Sequence, residues 1–308
     1  MFRHRFLHRR IEGVVGSPSL GIATVLWALV RLLRPEQWTK NGLVFAALLF
    51  SGRLRDPASA GLAALAFAGF CLASSSIYSL NDALDAREDR LHPRKRTRPV
   101  AAGIIGPGLA IAVSTILAAA AIYIGFLVNI ALGLTIVLYL GIHVLYCFVL
   151  KHVVLLDVMA VAAGFVLRAV GGGVAIAVEL SLWFLVSVPL LSLFLAVAKR
   201  RHELLSVEEA AHHRPVLTEY SAQLLDQMLA VLSAAVIMAY LLYAKDTIRP
   251  HLFILTSPLV IYGVFRYLYL VYRRSEGGSP DELLLTDVPL LVTVLLWVAA
   301  VATIIYFM

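Results

Sequence analysis

Apolar residues come in runs of about twenty along most of the chain, each long enough to cross a hydrocarbon core of about 30 Å as a helix. Nine membrane spans are predicted: 39–53, 58–80, 107–126, 129–149, 153–177, 181–199, 222–244, 250–271 and 287–307. The first is short and needs flanking side chains that reach back to the interface. Polar connections are brief except at 82–106 and 200–221, so a single transmembrane domain over 1–308 is expected. Residues 20–33 are apolar but too short to span, and Arg31 and Arg34 close them. They predict an interfacial helix within an N-terminal segment, 1–36. That segment does not read as a cleaved signal peptide, because Glu12, Gly13, Gly16 and Pro18 interrupt the apolar stretch after its basic start.

Charge then orients the bundle. Counting Lys40 at the mouth of the first span, twenty of the 26 Lys and Arg residues fall on the side of the N-terminus. Four (Arg53, Arg55, Lys245 and Arg249) fall on the other side, and Arg168 and Arg266 lie within spans. Basic loops stay in the cytoplasm, so the N-terminus and both long loops are placed inside and the C-terminus outside.

Composition agrees: 61% of the 308 residues are hydrophobic and 15% charged, whereas soluble domains average nearer one half and one quarter. A pI near 9.5 suits nucleic acid, but in a membrane protein it follows from the loop bias, and no nucleic-acid partner is expected. Cys71 and Cys147 sit inside apolar runs at no metal spacing and read as small buried hydrophobes.

The chemistry gathers at the end of the second span, in Asn81-Asp82-x-x-Asp85-x-x-x-Asp89. At i, i+3 and i+7 the three carboxylates share one face of a continuing helix, and they repel unless a cation sits among them. Hard oxygen ligands suit Mg²⁺, which takes part of its shell from substrate phosphates, and Asn81 adds an amide oxygen. The bland alternative is a solvated acidic helix end. Arg94, Lys95, Arg96 and Arg98 follow directly, and a metal beside cations is what a polyanionic diphosphate needs. Positive-inside topology accounts for some of those four.

This run, with Arg98-Pro99 and Gly103 after it, resembles the first aspartate-rich motif of the UbiA-type prenyltransferase superfamily, and the similarity covers nearly the whole chain. It implies nine helices around a central cavity and Mg²⁺ on Asp82, Asp85, Asp89 and Asn81. Asp82, Asp85 and Asn81 are then the expected catalytic set. The superfamily's second carboxylate motif is missing: after the sixth span the chain reads Lys199-Arg200-Arg201-His202-Glu203. Arg34-Pro35-x-Gln37-Trp38-x-Lys40-Asn41, the basic run 94–98, Lys151 with Asp157 and Arg168, and Lys199 to Glu203 resemble the decaprenyl-phosphate phosphoribosyltransferase branch.

That resemblance implies transfer of 5-phosphoribose from phosphoribosyl pyrophosphate to a polyprenyl phosphate in a bacterial plasma membrane, releasing pyrophosphate, for arabinose donors of the cell wall. Arg94, Lys95 and Arg98 are then expected on the donor. Lys40, Lys199, Arg200 and Arg201 are expected on the acceptor phosphate, with Asn41, Lys151, Glu203 and Tyr220 as further contacts. Asp157 and Arg168 either touch substrate or pair structurally. The competing readings are prenyl transfer to an aromatic acceptor, which the missing carboxylates oppose, and a transporter, which needs acids spread through the spans. Gly171-Gly172-Gly173 reads as helix packing, Trp38 as an interfacial anchor, and Arg266 with Asp287 as an ion pair.

Overall fold

The computed structural model describes residues 21–308, except 92, 94, 207–214, 248, 275–276 and 279. Arg94 therefore lies outside the described residues. Among the described residues the chain is helical, without strands. Eight helical segments are long and apolar enough to cross a membrane: α3 (Pro57–Leu84), α5 (Pro107–Val128), α6 (Ile130–Phe148), α7 (Leu156–Ala175), α8 (Leu182–Ser206, apolar window to Leu205), α9 (Ala222–Lys245), the run Pro250–Arg273, and α13 (Val288–Tyr306). Pro250–Arg273 is divided into α10 (Pro250–Ile254) and α11 (Ser257–Arg273). Before them come α1 (Ile22–Leu33) and α2 (Ala46–Phe50); α4 (Ala86–Leu91) follows α3, and α12 (Pro280–Thr286) precedes α13. The protein is thus an all-α, multi-pass membrane protein.

Helix starts follow local rules. Asp56 caps α3 by accepting from the Ala58 and Ser59 amides at 3.2 Å, with Pro57 in the first turn, where its missing N–H costs nothing. Asn129 caps α6 and Asp287 caps α13 in the same way. Arg266 holds Asp287 from α11 at 2.8 Å, as the sequence reading expects, and this hydrogen bond keeps the Asp287 carboxyl below the usual range.

The first expected span, 39–53, differs. Residues Pro35–Phe45 wind as a 3₁₀ helix and pass into α2. A 3₁₀ helix rises about 2.0 Å per residue, so 35–50 reach about 30 Å with sixteen residues, where an α-helix would fall short. This segment runs antiparallel to α3. Trp38 meets Ser75, Asn41 meets Ser74, and the Phe45 and Phe67 rings lie 5.3 Å apart. Its other face lies on the triglycine of α7: a Cβ on Gly172 would stand 2.0 Å from the Val44 carbonyl oxygen. Only glycine admits that approach, so 171–173 serve packing. Trp38 is half-buried: its indole donates to Ser75 Oγ at 3.0 Å, and Ser75 donates to the Leu33 carbonyl at 2.7 Å.

Helix α1 packs Ala28 and Leu32 on Ala86, Val100 and Ile105 and leaves Leu26, Trp27 and Val30 exposed, the division of an interfacial helix. Arg34, at its end, turns the chain through a left-handed backbone (φ 51°). Cys71 and Cys147 are buried and free.

Candidate functional site

α3 has 28 residues, about 42 Å of helix, so its C-terminal turn emerges from a hydrocarbon core of about 30 Å. Asp82, Asp85 and Asp89 stand at that end. The helix breaks at Asp85 and restarts as α4, and the break divides the three carboxylates. Asp82 and Asp89, each 2% exposed, converge on one guanidinium: Arg98 Nη1 donates to Asp82 Oδ1 at 3.2 Å and to Asp89 Oδ2 at 2.6 Å. Asp85 turns away, accepting from Lys151 Nζ at 2.6 Å and from Asn81 Nδ2 at 2.9 Å. The three acids thus do not share one focus in this arrangement, and among the described residues no three His, Cys, Asp or Glu side chains gather. Lys95 Nζ lies 3.9 Å from Asp89.

Beside Asp82 opens a cavity of about 360 Å³, within the range of small-molecule sites. Arg31, Arg34, Glu36, Gln37, Asp82, Arg98 and Pro99 line it. Arg34 Nη2 donates to Asp82 Oδ1, and its guanidinium lies 4.9 Å above the Tyr78 ring. Arg31, Arg34 and Gln37 were not among the expected site residues. The signal for Arg34 is a cation directly before Pro35 at the mouth of the first crossing, but only the left-handed turn brings it to Asp82.

Several other expected site residues form networks of their own. Asp157, fully buried at the start of α7, accepts from Arg200 Nε at 2.6 Å and from the Tyr220 hydroxyl at 2.7 Å. Arg200 Nη1 also donates to Glu203 at 2.6 Å. Tyr220 in turn accepts from the Leu155 amide at 2.8 Å. Burial, then the bond to Asp157, pushes its phenol up to about 12. Arg201 donates to Asp226 at 2.5 Å, and its guanidinium lies 4.3 Å over the Tyr272 ring. Arg200 and Arg201 are thereby neutralised by carboxylates within the fold. Neither Asp157 nor Arg200 lines the cavity beside Asp82.

Arg168 does not pair with Asp157. It donates to Asn41 Oδ1 at 2.6 Å and to the Tyr139 hydroxyl at 2.8 Å. Asn41 also donates to Ser74, so these two expected contacts fasten the 3₁₀ segment to α3, α6 and α7. Lys40 donates to Gln37 Oε1 at 2.6 Å, and Lys199 is half-buried on α8 beside Arg200.

The donor set near Asp82 fits a hard cation. Its oxygens are carboxylates and an amide, and Asp82 with Asp89 already surrounds one positive group.

The UbiA prenyltransferase family profile matches residues 42–286. The decaprenyl-phosphate phosphoribosyltransferase of Corynebacterium glutamicum is 38% identical over 291 residues, 91% of this chain and 87% of that protein. The enzyme of the same name from Mycobacterium tuberculosis is 33% identical over 303 residues, 96% of this chain and 99% of that one. A UbiA homolog from Archaeoglobus fulgidus, solved bound to GPP and Mg²⁺, superposes with a TM-score of 0.71 at 21% identity, covering 90% of this chain and 99% of that one. With its fold, its carboxylates at the end of α3 and this extent of similarity, the chain belongs to the UbiA prenyltransferase family.

Proposed function

We propose that this membrane enzyme transfers 5-phosphoribose from phosphoribosyl pyrophosphate to a polyprenyl phosphate and releases pyrophosphate. The observation that carries the reading is the constellation at the end of α3. Two buried carboxylates share one guanidinium beside a cation-lined cavity, in a chain at least 33% identical to enzymes named for this transfer. The pairing of Glu203 on α8 and Asp157 on α7 supports it over prenyl transfer. Glu203 and Asp157 are both committed to Arg200, so among the described residues they offer no second carboxylate site for a metal.

Asp82 and Asp89 would hold Mg²⁺, with Asp85 and Asn81 beside them. Bound there, the metal neutralises the donor diphosphate and stabilises it as the leaving group. Arg98, Lys95 and Lys151 hold the remaining diphosphate oxygens as charge passes to them, and Arg94 belongs to the same basic run. Lys40 and Lys199 are the cations proposed for the acceptor phosphate. Its tail stays in lipid while its oxygen attacks the anomeric carbon from the face opposite the diphosphate. A phosphate monoester is already anionic, so no general base is assigned, and the anomeric configuration inverts. The long loops and this site face the cytoplasm of a bacterial plasma membrane, by the twenty-to-four bias in basic residues.

Purified protein given labelled phosphoribosyl pyrophosphate, Mg²⁺ and a polyprenyl phosphate forms a lipid-soluble label. The same protein given a prenyl diphosphate and a phenolic acid forms none. Label only in the second reaction overturns the reading, and a product that retains the donor's configuration overturns the single displacement.

A further inference from the structure

The carboxylates at the end of α3 are already neutralised within the protein. Asp82 is met by Arg34 and Arg98, Asp85 by Lys151, and Asp89 by Arg98 and Lys95. Among the described residues, four cations thus contact three carboxylates. Arg31 and Glu36, both exposed at the cavity rim, offset one another. A divalent cation alone would add two positive charges to a site already in cationic surplus, and it would have to displace guanidinium groups from buried oxygens. A metal arriving with a diphosphate of about three negative charges adds a net anion, and it offers the displaced cations a new partner.

Arg34 is placed to make that exchange. It bonds Asp82 directly, its side chain is 18% exposed, and it lines the cavity. Its reach is set from a turn between α1 and the 3₁₀ segment, not from α3 itself. A guanidinium that leaves Asp82 stays in the same cavity, now beside whatever anion fills it. Planar donors of this kind suit diphosphate oxygens as well as carboxylate.

We propose that Arg34 is a binding residue for the donor diphosphate which, when no donor is present, serves as the counter-ion of Asp82, so that metal enters only together with the diphosphate. The inference rests on the reading that a diphosphate binds at Asp82.

Retention of radiolabelled Mn²⁺ on the purified protein in detergent, by ultrafiltration with and without inorganic pyrophosphate, tests it without turnover. Wild-type protein retains Mn²⁺ weakly alone, and pyrophosphate tightens retention about tenfold or more, the equivalent of one charged hydrogen bond. Arg34→Gln binds Mn²⁺ alone about tenfold more tightly than wild type, and its gain from pyrophosphate shrinks. Arg34→Lys keeps the charge and retains Mn²⁺ alone as weakly as wild type. Two results overturn the proposal: Arg34→Gln no tighter for Mn²⁺ alone while pyrophosphate still recruits metal, or wild type binding Mn²⁺ equally with and without pyrophosphate. The second needs no variant to fold. If pyrophosphate recruits no Mn²⁺ to a wild-type protein that also binds none alone, the diphosphate reading itself falls.

Discussion

Asp157→Ala separates a structural from a substrate-binding role for the charges between α7 and α8. The carboxylate is fully buried and Arg200 is 4% exposed, so the substitution leaves a guanidinium nitrogen and the Tyr220 hydroxyl without their acceptor in a region closed to water. Breaking a buried ion pair by removing one member costs about 3–5 kcal/mol. Glu203 still accepts from Arg200 Nη1 at 2.6 Å, and Tyr220 keeps the Leu155 amide, so the low end, about 3 kcal/mol, is expected. For a chain of this size that lowers Tm by about 5 °C, read by tryptophan fluorescence in detergent. Asp157→Asn keeps an acceptor for both partners and loses less. Asp157→Ala combined with Arg200→Met recovers stability over Asp157→Ala alone, because no unpaired buried charge remains. The KM for polyprenyl phosphate stays at the wild-type value in the enzyme that survives. A wild-type Tm together with a KM raised tenfold would refute this reasoning and return Arg200 to the acceptor phosphate.

Gly172→Ala forces a methyl group to within 2.0 Å of the Val44 carbonyl oxygen, which is backbone and cannot rotate away; a loss of about 3 kcal/mol is expected, visible as a lowered Tm. Gly42→Ala, with open space at its Cβ, is the control and leaves Tm within about 2 °C. Asp82→Asn and Asp89→Asn each lower kcat/KM by at least about a hundredfold in the phosphoribosyl assay while the protein stays monodisperse, and near-normal turnover in either removes that residue from the metal set. The raised Tyr220 phenol binds its proton more tightly in the folded state, so its stabilising contribution is complete below pH 10 and is lost as pH rises towards about 12. Unfolding midpoints of wild type and Tyr220→Phe should therefore converge across that window, and a constant difference refutes the assignment.

How much of this was readable depends on the sequence distance over which each feature is decided. The eight long helices are decided within their own lengths, by apolar runs and by caps such as Asp56 and Asp287, and the sequence predicts them to within a few residues, except that α8 runs seven residues past its predicted end into the basic run. Arg266 and Asp287 lie 21 residues apart and pair, as their opposite charges predict. The 3₁₀ crossing is decided elsewhere. Residues 35–45 are too polar and too few for an α-helical span; they lie against α7 because Gly172 admits Val44 and because Arg168, 127 positions away, fixes Asn41. Nothing within 35–45 announces either partner. The basic run in the last turns of α8 hides its partners for the same reason. Lys199-Arg200-Arg201 reads as cations awaiting a phosphate until Asp157, 43 positions away, and Asp226, 25 away, are seen to accept from them. At the end of α3 the types of residue were legible and their partition was not. Spacing puts three carboxylates on one helical face, but the helix breaks at Asp85, and Lys151, from 66 positions away, draws that acid aside. What remains is a buried pair around Arg98, with Arg34 closing over it. Under the proposed reading, metal affinity at that pair therefore depends on the anion that arrives with the metal, because the acids have no charge to spare until their own cations are drawn off.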